Sequence, residues 1–253
     1  MAKLINNNFS EEYFCVVEGG VEVTTTLLKN RFDKIFFTGS SAVGKIIYEA
    51  AAKHLTPVTL ELGGKSPAFV LADTDIKMSA KRIIWSKFLN AGQTCVAPDY
   101  ILVEKSIESK LLKALQKEIE IHYNNNELTE NYLQIINDQN FTRLCEFIDK
   151  DKLYFGGNTN KEERFISPTI LQNVFFEDDI MKDEIFGPIL PVLSFSNLES
   201  AIKQVKERSK PLSCYIYSKN RKQINKLLKE VSFGGGAIND SVMHLTNSNL
   251  PFG

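Results

Sequence analysis

The stretch Phe88-Leu-Asn-Ala-Gly-Gln-Thr-Cys-Val-Ala-Pro98 decides how the rest of the chain is interpreted. A helical run, 76–90, leads into Gly92, and Cys95 and Pro98 follow it. Gly92 frees the backbone just after the helix, and Pro98 prevents the helix from resuming at once. A thiol on such a turn can point into a cleft, although most cysteines outside disulfides are small buried hydrophobes. The turn alone leaves both interpretations open for Cys95.

Length and composition indicate an ordinary globular protein. The 253 residues are enough for one large domain or two smaller ones, and 43% are hydrophobic and 24% charged. The formal net charge is −1, so we expect no nucleic-acid partner and no attraction to an acidic membrane surface. The first residues contain no apolar run of signal-peptide length, and no window approaches a membrane span, so we expect no membrane segment.

The four cysteines predict a reducing environment. Cys15, Cys95, Cys145 and Cys214 are far apart in the sequence and lack paired metal-ligand spacing, so we expect no metal site and a cytoplasmic location. Three of the four lie inside apolar runs and are interpreted as packing residues, namely Cys15, Cys145 and Cys214. Cys95 on its turn is the exception.

Short apolar runs alternate with helical runs, which predicts an α/β fold with the βαβ order of a parallel sheet. The predicted strands are 13–17, 34–38, 58–62, 67–71, 100–104, 164–171, 189–195 and 212–217, with a last strand after 233–236. The predicted helices are 21–30, a helix opened by 39–44 and ending near His54, 76–90, 107–122 and 137–150, with charged helices after the strands at 189–195 and 212–217. Pro168 marks 164–171 as an edge or bulged strand, and 124–126 is interpreted as a surface loop or insertion.

The segment Gly39-Ser-Ser-Ala-Val-Gly44 follows a predicted strand and opens a helix, so its backbone N–H groups form an anion site. With Lys45 the spacing is that of a phosphate-binding P-loop, but Ile46 stands where a hydroxyl group should reach Mg²⁺. A nucleotide triphosphatase is therefore disfavoured, whereas a cofactor pyrophosphate needs no metal ligand at that position. An ordinary strand-to-helix turn remains the alternative.

Two carboxylates stand in unusual sequence surroundings. Glu61 lies inside the apolar run 58–62 just before two glycines, where a buried carboxylate can act as a general base; the alternative is a strand-end carboxylate facing solvent. Glu184 precedes Ile185-Phe-Gly-Pro188, a turn that presents an acid and an aromatic ring together. The acid suits ribose hydroxyls and the ring suits a nicotinamide, although the same turn sequence is also ordinary turn chemistry.

Together these segments resemble the aldehyde dehydrogenase superfamily, and within it the class 3 branch of enzymes for fatty and aromatic aldehydes. The matching segments occur in the family's order from about Gly19 onward: 36–40, 43–44, Leu60-Glu-Leu-Gly-Gly-Lys-Ser-Pro67, Gly92-Gln-Thr-Cys95, Glu184-Ile-Phe-Gly-Pro188 and Leu250-Pro-Phe-Gly253. The resemblance implies a partial Rossmann-like parallel sheet in residues 1–62, as the carboxy-terminal part of a cofactor-binding domain. It implies an α/β catalytic domain in residues 63–253, incomplete at its end.

The resemblance also implies roles for individual residues. Cys95 would be the nucleophile that forms a thiohemiacetal and then a thioester with a small-molecule aldehyde, while hydride leaves to NAD or NADP. Glu61 would be the base that activates the hydrolytic water. The cofactor-binding residues would be Gly39, Ser40, Ser41, Val43, Gly44, Leu62, Glu184 and Phe186.

Two parts of the family pattern have no match in this sequence. These are the region before Tyr13, which supplies the first strands of the dinucleotide fold, and the carboxy-terminal segment that contributes to subunit pairing in a usually homo-oligomeric family. The alternative interpretation is therefore a non-catalytic fragment or remnant, active only when the missing segments are supplied. A third interpretation is a thiol hydrolase that uses Cys95 with His244, for which the sequence shows no orienting partner.

Overall fold

The computed structural model describes residues 1–123 and 132–253 and divides the chain into two compact units. We call Met1–Leu62 the N-terminal unit and Gly63–Gly253 the C-terminal unit. The loop expected at 124–126 lies outside the described residues. Among the helices of the described residues, none combines the length and the apolar character needed to cross a bilayer.

The N-terminal unit is a short βαβ arrangement preceded by helices. Its elements are α1 (Ala2–Asn8), α2 (Val21–Leu27), β1 (Ile35–Gly39), α3 (Ser41–Ala52) and β2 (Val58–Leu62). Strands β1 and β2 pair in parallel, and α3 is the crossover between them, as the alternation predicted. Helix α3 begins where the Ser40 hydroxyl accepts the Val43 N–H at 3.3 Å.

The prediction of a buried strand at 13–17 is wrong. Tyr13 and Cys15 are exposed, and no strand is assigned to this run. An apolar run becomes a strand only when a neighbouring backbone takes up its N–H and C=O groups. Here the side-chain amide of Asn6 bonds the N–H and the C=O of Val16, at 2.8 and 2.9 Å. Cys15 is therefore a surface thiol and not the packing residue that the sequence suggested.

The C-terminal unit is built on a sheet of seven strands within the described residues, ordered β11-β10-β3-β4-β9-β8-β5. The strands are β3 (Pro67–Val70), β4 (Tyr100–Glu104), β5 (Leu153–Phe155), β8 (Thr169–Leu171), β9 (Ile189–Phe195), β10 (Ser213–Tyr217) and β11 (Gly235–Ile238), with β6 (Thr159–Asn160) and β7 (Phe165–Ile166) as a separate antiparallel pair. All neighbours in the sheet are parallel except β5 and β8. The α/β class with a mostly parallel sheet is confirmed.

Helices cover both faces of this sheet. They are α4 (Ile76–Phe88), α5 (Glu108–His122), α6 (Asp138–Glu146), α7 (Leu198–Lys206) and α8 (Arg221–Glu230). One buried apolar cluster holds residues of α4 and α5, and a second holds residues of α6, α7 and α8. Consecutive residues of β4 enter opposite clusters, with Ile101 in the first and Leu102 in the second. The strands are therefore buried on both faces, which explains their continuous apolar runs.

Three sequence boundaries need correction. The single strand predicted at 164–171 is two strands, β7 and β8, separated at Pro168, which lacks the N–H that a ladder requires. Strand β8 lies between β5 and β9, so it is not an edge strand. The helix predicted at 76–90 ends at Phe88, and the helix predicted at 137–150 ends at Glu146. Cys214 is buried in β10, as expected.

Candidate functional site

The turn that carries Cys95 begins with three consecutive residues in the left-handed region. Asn90, Ala91 and Gly92 have φ values of 55°, 52° and 71°. Left-handed backbone is costly for residues with a side chain and persists where the surroundings determine it. A Cβ on Gly92 would collide with the carbonyl oxygen of Gly187. The thiol turn is therefore packed backbone to backbone against the turn that contains Gly187, and a glycine is required there.

Hydrogen bonds fix the Cys95 turn on both sides of the thiol. The Asn90 side chain donates to the Gln93 carbonyl at 2.8 Å, and the Gln93 side chain accepts the Ile136 N–H at 2.9 Å. On the other side, the Tyr215 hydroxyl donates to the Val96 carbonyl at 2.5 Å. Cys95 itself is half-buried. Its backbone position is thus set by groups from several elements of the C-terminal unit.

The turn at 184–188 presents a carboxylate and a ring. Glu184 is half-buried, its carboxylate accepts the Gly64 N–H, and a Cβ on Gly63 would collide with that carboxylate. Burial, followed by the nearby Asp99, raises the pKa of Glu184 to about 7. Phe186 has a φ of 49°, which is strained for an aromatic residue, and its side chain is 38% exposed. This backbone conformation leaves the Phe186 ring accessible to solvent.

A buried ion pair joins the two turns. Asp99 follows the Cys95 turn directly; its Oδ1 accepts the Ile185 N–H at 3.0 Å and its Oδ2 pairs with the Lys65 ammonium group. The same ammonium group donates at 2.9 Å to the carbonyls of Ile180 and Asp183. These bonds satisfy the Lys65 ammonium group within the fold, so its charge has a structural role. The ammonium group holds the segment before Glu184 against the Cys95 turn.

Sequence reasoning missed Lys65, Asp99 and Arg143, which support this site, and the buried Lys87. Arg143 in α6 donates to the carbonyls of Glu184 and Ile185, at 3.2 and 2.7 Å. Lys65 stands within a matching segment, but nothing in the spacing shows that its partner is Asp99, 34 residues away. For Lys87 a signal existed, because it is a lysine in an apolar part of a helical run.

The N-terminal unit brings most of the other predicted residues to one edge of its strand pair. Gly39 lies opposite Leu62 in the β1–β2 register, at the carboxyl ends of both strands, and Glu61 is the residue before Leu62. Glu61 is half-buried, so it is neither sunk in a core nor fully in solvent. Ser40, Ser41, Val43 and Gly44 open α3 at the same edge. In open α/β sheets this edge is where ligands bind.

Gly44 has a packing role at that edge. It is buried, and a Cβ on it would lie 2.9 Å from Cδ2 of Leu62. Ser40, Ser41 and Val43 are exposed around it. The glycine lets α3 approach β2 closely, while its neighbours leave the helix start accessible to a ligand.

His244 and the acidic residues form no metal centre in the described part of the chain. No cluster of three or more His, Cys, Asp or Glu there is arranged to hold a metal ion. The centroid of the His244 ring lies 5.9 Å from that of the Tyr215 ring. Tyr215 is the residue whose hydroxyl donates to the Val96 carbonyl, next to Cys95. Within residues 1–123 and 132–253 the Nδ1 of His244 has no hydrogen-bond partner, so no carboxylate orients the ring through that nitrogen.

Comparison with known proteins identifies the family of the chain. The family model described as aldehyde dehydrogenase family matches residues 1–253. The chain is 47% identical to 4,4'-diaponeurosporen-aldehyde dehydrogenase of Staphylococcus aureus, covering 99% of this chain and 55% of that protein. It is 47% identical to the dimeric NADP-preferring aldehyde dehydrogenase of Rattus norvegicus and 46% identical to aldehyde dehydrogenase family 3 member A2 of the same species, covering all of this chain and 56% and 52% of those proteins. The chain thus spans about half the length of the curated relatives it matches.

Solved structures agree with the fold. The substrate-bound state of Staphylococcus aureus AldH superposes with a TM-score of 0.96 at 47% identity, covering 100% of this chain and 56% of that one. An NAD⁺ complex of aldehyde dehydrogenase from Bacillus cereus gives a TM-score of 0.81 at 28% identity, covering 91% and 48%. The resemblance drawn from the sequence motifs is confirmed, including its similarity to family 3 members.

Proposed function

The chain belongs to the aldehyde dehydrogenase family, and on that premise we propose that it oxidises an aldehyde to a carboxylic acid with hydride transfer to NAD or NADP. The observation that carries the proposal is the position of Cys95. It lies on a strained, hydrogen-bonded turn that packs against the turn of Glu184 and Phe186. A nucleophile needs such fixed placement, because orientation contributes much of the rate acceleration in covalent catalysis.

Cys95 performs the covalent part of the proposed reaction. Its thiolate adds to the carbonyl carbon of the aldehyde and forms a thiohemiacetal, which loses a hydride and becomes a thioester on the same sulfur. A nicotinamide cofactor, when bound, would supply the acceptor for that hydride and its two electrons. Water then cleaves the thioester, which releases the acid and restores the thiol. Glu61 would take the proton of that water as general base.

Candidate cofactor-binding residues occur in each unit, and each unit is considered by itself. In the N-terminal unit, the start of α3 would hold the pyrophosphate through Gly39, Ser40, Ser41, Val43 and Gly44, with Leu62 at the adjacent strand end. In the C-terminal unit, Glu184 would accept a ribose hydroxyl and the accessible ring of Phe186 would support the nicotinamide. Since one relative is named NADP-preferring and one solved relative holds NAD⁺, the proposal covers both nucleotides.

Replacement of Cys95 tests the proposal. We expect Cys95→Ser to lower aldehyde-dependent formation of reduced nicotinamide by on the order of 10⁴-fold or more, the usual scale for a lost nucleophile. Cys145→Ser is the matched control, because Cys145 is also half-buried but packs against the buried cluster that holds residues of α6, α7 and α8. Reduced nicotinamide is measured by absorbance. Undiminished oxidation by Cys95→Ser would contradict the proposal.

The role of Glu61 has its own test. Glu61→Gln should preserve the first hydride transfer and slow thioester hydrolysis, which gives a burst of reduced nicotinamide followed by slow turnover. Glu49→Gln, an exposed glutamate of the same unit, should show no burst and normal turnover. Loss of the burst itself in Glu61→Gln would assign Glu61 to an earlier step than hydrolysis. A thiol hydrolase would show neither phase, since it has no use for the nicotinamide.

A further inference from the structure

Lys87 is a fully buried lysine that the proposed reaction does not use. It stands in the last turn of α4 with 0% of its surface exposed, and its Nζ has no hydrogen-bond partner among the described residues. Lys77 and Lys81 of the same helix are exposed, as is usual for lysine. A buried ammonium group without a counter-charge is strongly unfavourable, so the position calls for a nearby anion.

Three charged side chains act electrostatically on Lys87. They are Asp99, Lys65 and Glu184, which come from three different segments of the C-terminal unit. Asp99 is already paired with Lys65, whose ammonium group also donates to two carbonyls. Arg143 is close to the Glu184 segment but donates to its backbone carbonyls, not to its carboxylate. Asp99 and Glu184 are thus the two carboxylates that oppose the loss of charge at Lys87, with Asp99 the stronger, and Glu184 is the one without a salt bridge in the described part of the chain.

The Glu184 carboxylate also needs a nearby charge of opposite sign. Its hydrogen bond from the Gly64 N–H favours the ionised form, but burial and the neighbouring Asp99 oppose it and raise its pKa to about 7. Burial also lowers the pKa of Lys87 to about 8, with Asp99 and Glu184 acting in the opposite direction and Lys65 in the same direction. Near neutral pH the charge of each group thus depends on the charge of the other.

We propose that Lys87 is a positioning residue for Glu184: the buried ammonium group of Lys87 opposes the charge of the Glu184 carboxylate and favours its ionised form beside the Cys95 turn. The inference deepens the proposed function. It rests on that function for one consequence, namely that the Glu184 carboxylate can accept a hydrogen bond from a ribose hydroxyl group. Lys87 is fully buried and lies in the last turn of the helix that leads into the Cys95 turn. That helix therefore fixes the position of the positive charge that acts on the Glu184 carboxylate.

A titration of the ligand-free protein tests the charge linkage directly. Glutamate carboxyl carbons are labelled with ¹³C, and the signal of Glu184 is assigned by its absence from Glu184→Gln. Lys87→Met should raise the midpoint of the Glu184 titration by on the order of one pH unit, because an opposing charge is lost. Lys81→Met, which removes an exposed lysine of the same helix, should leave the midpoint unchanged. Lys87→Arg should restore a midpoint at or below that of the wild type, since arginine stays charged.

The reciprocal titration keeps the inference testable if Lys87→Met does not fold. Lysine side chains are labelled at the ε-carbon, the Lys87 signal is assigned by its absence from Lys87→Arg, and Glu184→Gln should lower the Lys87 midpoint. An unchanged Lys87 midpoint in Glu184→Gln, or an unchanged Glu184 midpoint in folded Lys87→Met, would overturn the inference. Calorimetry of NAD and NADP binding is a separate readout: absence of binding by the wild type would count against the proposed function, while the titrations decide the role of Lys87.

Discussion

The N-terminal unit and the C-terminal unit share parallel strands joined by helices, but they bury apolar side chains to very different extents. In the N-terminal unit, Ile47 and Ala51 are the apolar side chains assigned to the buried core, whereas Phe36 and Leu55 are 66% and 90% exposed. In the C-terminal unit, two clusters of buried apolar residues cover both faces of the sheet. Since apolar burial is the main favourable term in folding, most of the stabilisation of the described chain resides in the C-terminal unit.

The packing of the C-terminal unit supports strained backbone next to the candidate site. Asn90, Ala91 and Phe186 have left-handed backbone next to Cys95 and Glu184, and each such residue costs about 1–3 kcal/mol. Strain of this size persists only when packing and hydrogen bonds around it determine the conformation. The buried clusters and the Lys65–Asp99 pair supply that support in the C-terminal unit. A candidate nucleophile is thus placed on the more strongly packed part of the chain.

Hydrogen exchange should show the largest contrast between the units. We expect backbone amides of β4 to exchange at least about 10³-fold more slowly than those of β1, because β4 opens only when the main core unfolds. Both strands are hydrogen-bonded within parallel sheets, so the difference reports local stability and not secondary structure. Mass spectrometry of peptides after timed exchange gives the rates. Equal protection of the two strands would show that the units unfold together.

Truncation of a single isoleucine side chain should destabilise the protein more in the C-terminal unit than in the N-terminal unit. Ile84 in α4 is 0% exposed, and Ile84→Ala should lower the free energy of unfolding by about 2–5 kcal/mol. Ile46 in α3 is the matched control, because it is the same residue type at 60% exposure, and Ile46→Ala should cost less than about 0.5 kcal/mol. Urea unfolding monitored by circular dichroism measures both. Similar losses for the two variants would contradict the assignment of the core.

The smallest expected effect is a pH-dependent difference in melting temperature. The folded-state pKa of Glu184 lies above its ordinary value of 4.5, at about 7, so the folded state binds this proton more tightly than the unfolded chain. Wild-type stability relative to Glu184→Gln should therefore fall as the pH rises from 4.5 to 7. We expect a change of a few degrees in the difference between the two melting temperatures across that range. A difference that is constant with pH would show that Glu184 titrates normally.

The parts of the fold that sequence predicted best are those whose residues face a core on both sides. Strands β3, β4 and β9 are continuous apolar runs because helices cover both faces of the sheet. The run at 13–17 has the same appearance, but no strand in the described chain pairs with it. Hydrophobicity is a property of the run, whereas strand formation also requires a partner backbone, which sequence alone does not reveal.

In the candidate site too, local features were predictable from the sequence and long-range interactions were not. The turn around Cys95 was predictable because Gly92 and Pro98 act locally on the backbone, and Gly92 has the positive φ that this requires. The ion pair of Lys65 with Asp99 and the charges that act on Lys87 were not predictable, since they involve residues distant in the chain. Local backbone chemistry is readable from spacing, whereas the long-range charges that support a site emerge only from the packed fold.

The nucleophilic role of Cys95 is tested most directly by brief alkylation of the protein with and without a long-chain aldehyde, followed by mass spectrometry. Cys15 is an exposed thiol in the N-terminal unit and serves as the internal reference within the same molecule. If Cys95 adds to the aldehyde carbonyl, the aldehyde should reduce alkylation of Cys95 several-fold while leaving alkylation of Cys15 unchanged. Equal labelling of Cys95 with and without aldehyde would contradict its assignment as the nucleophile.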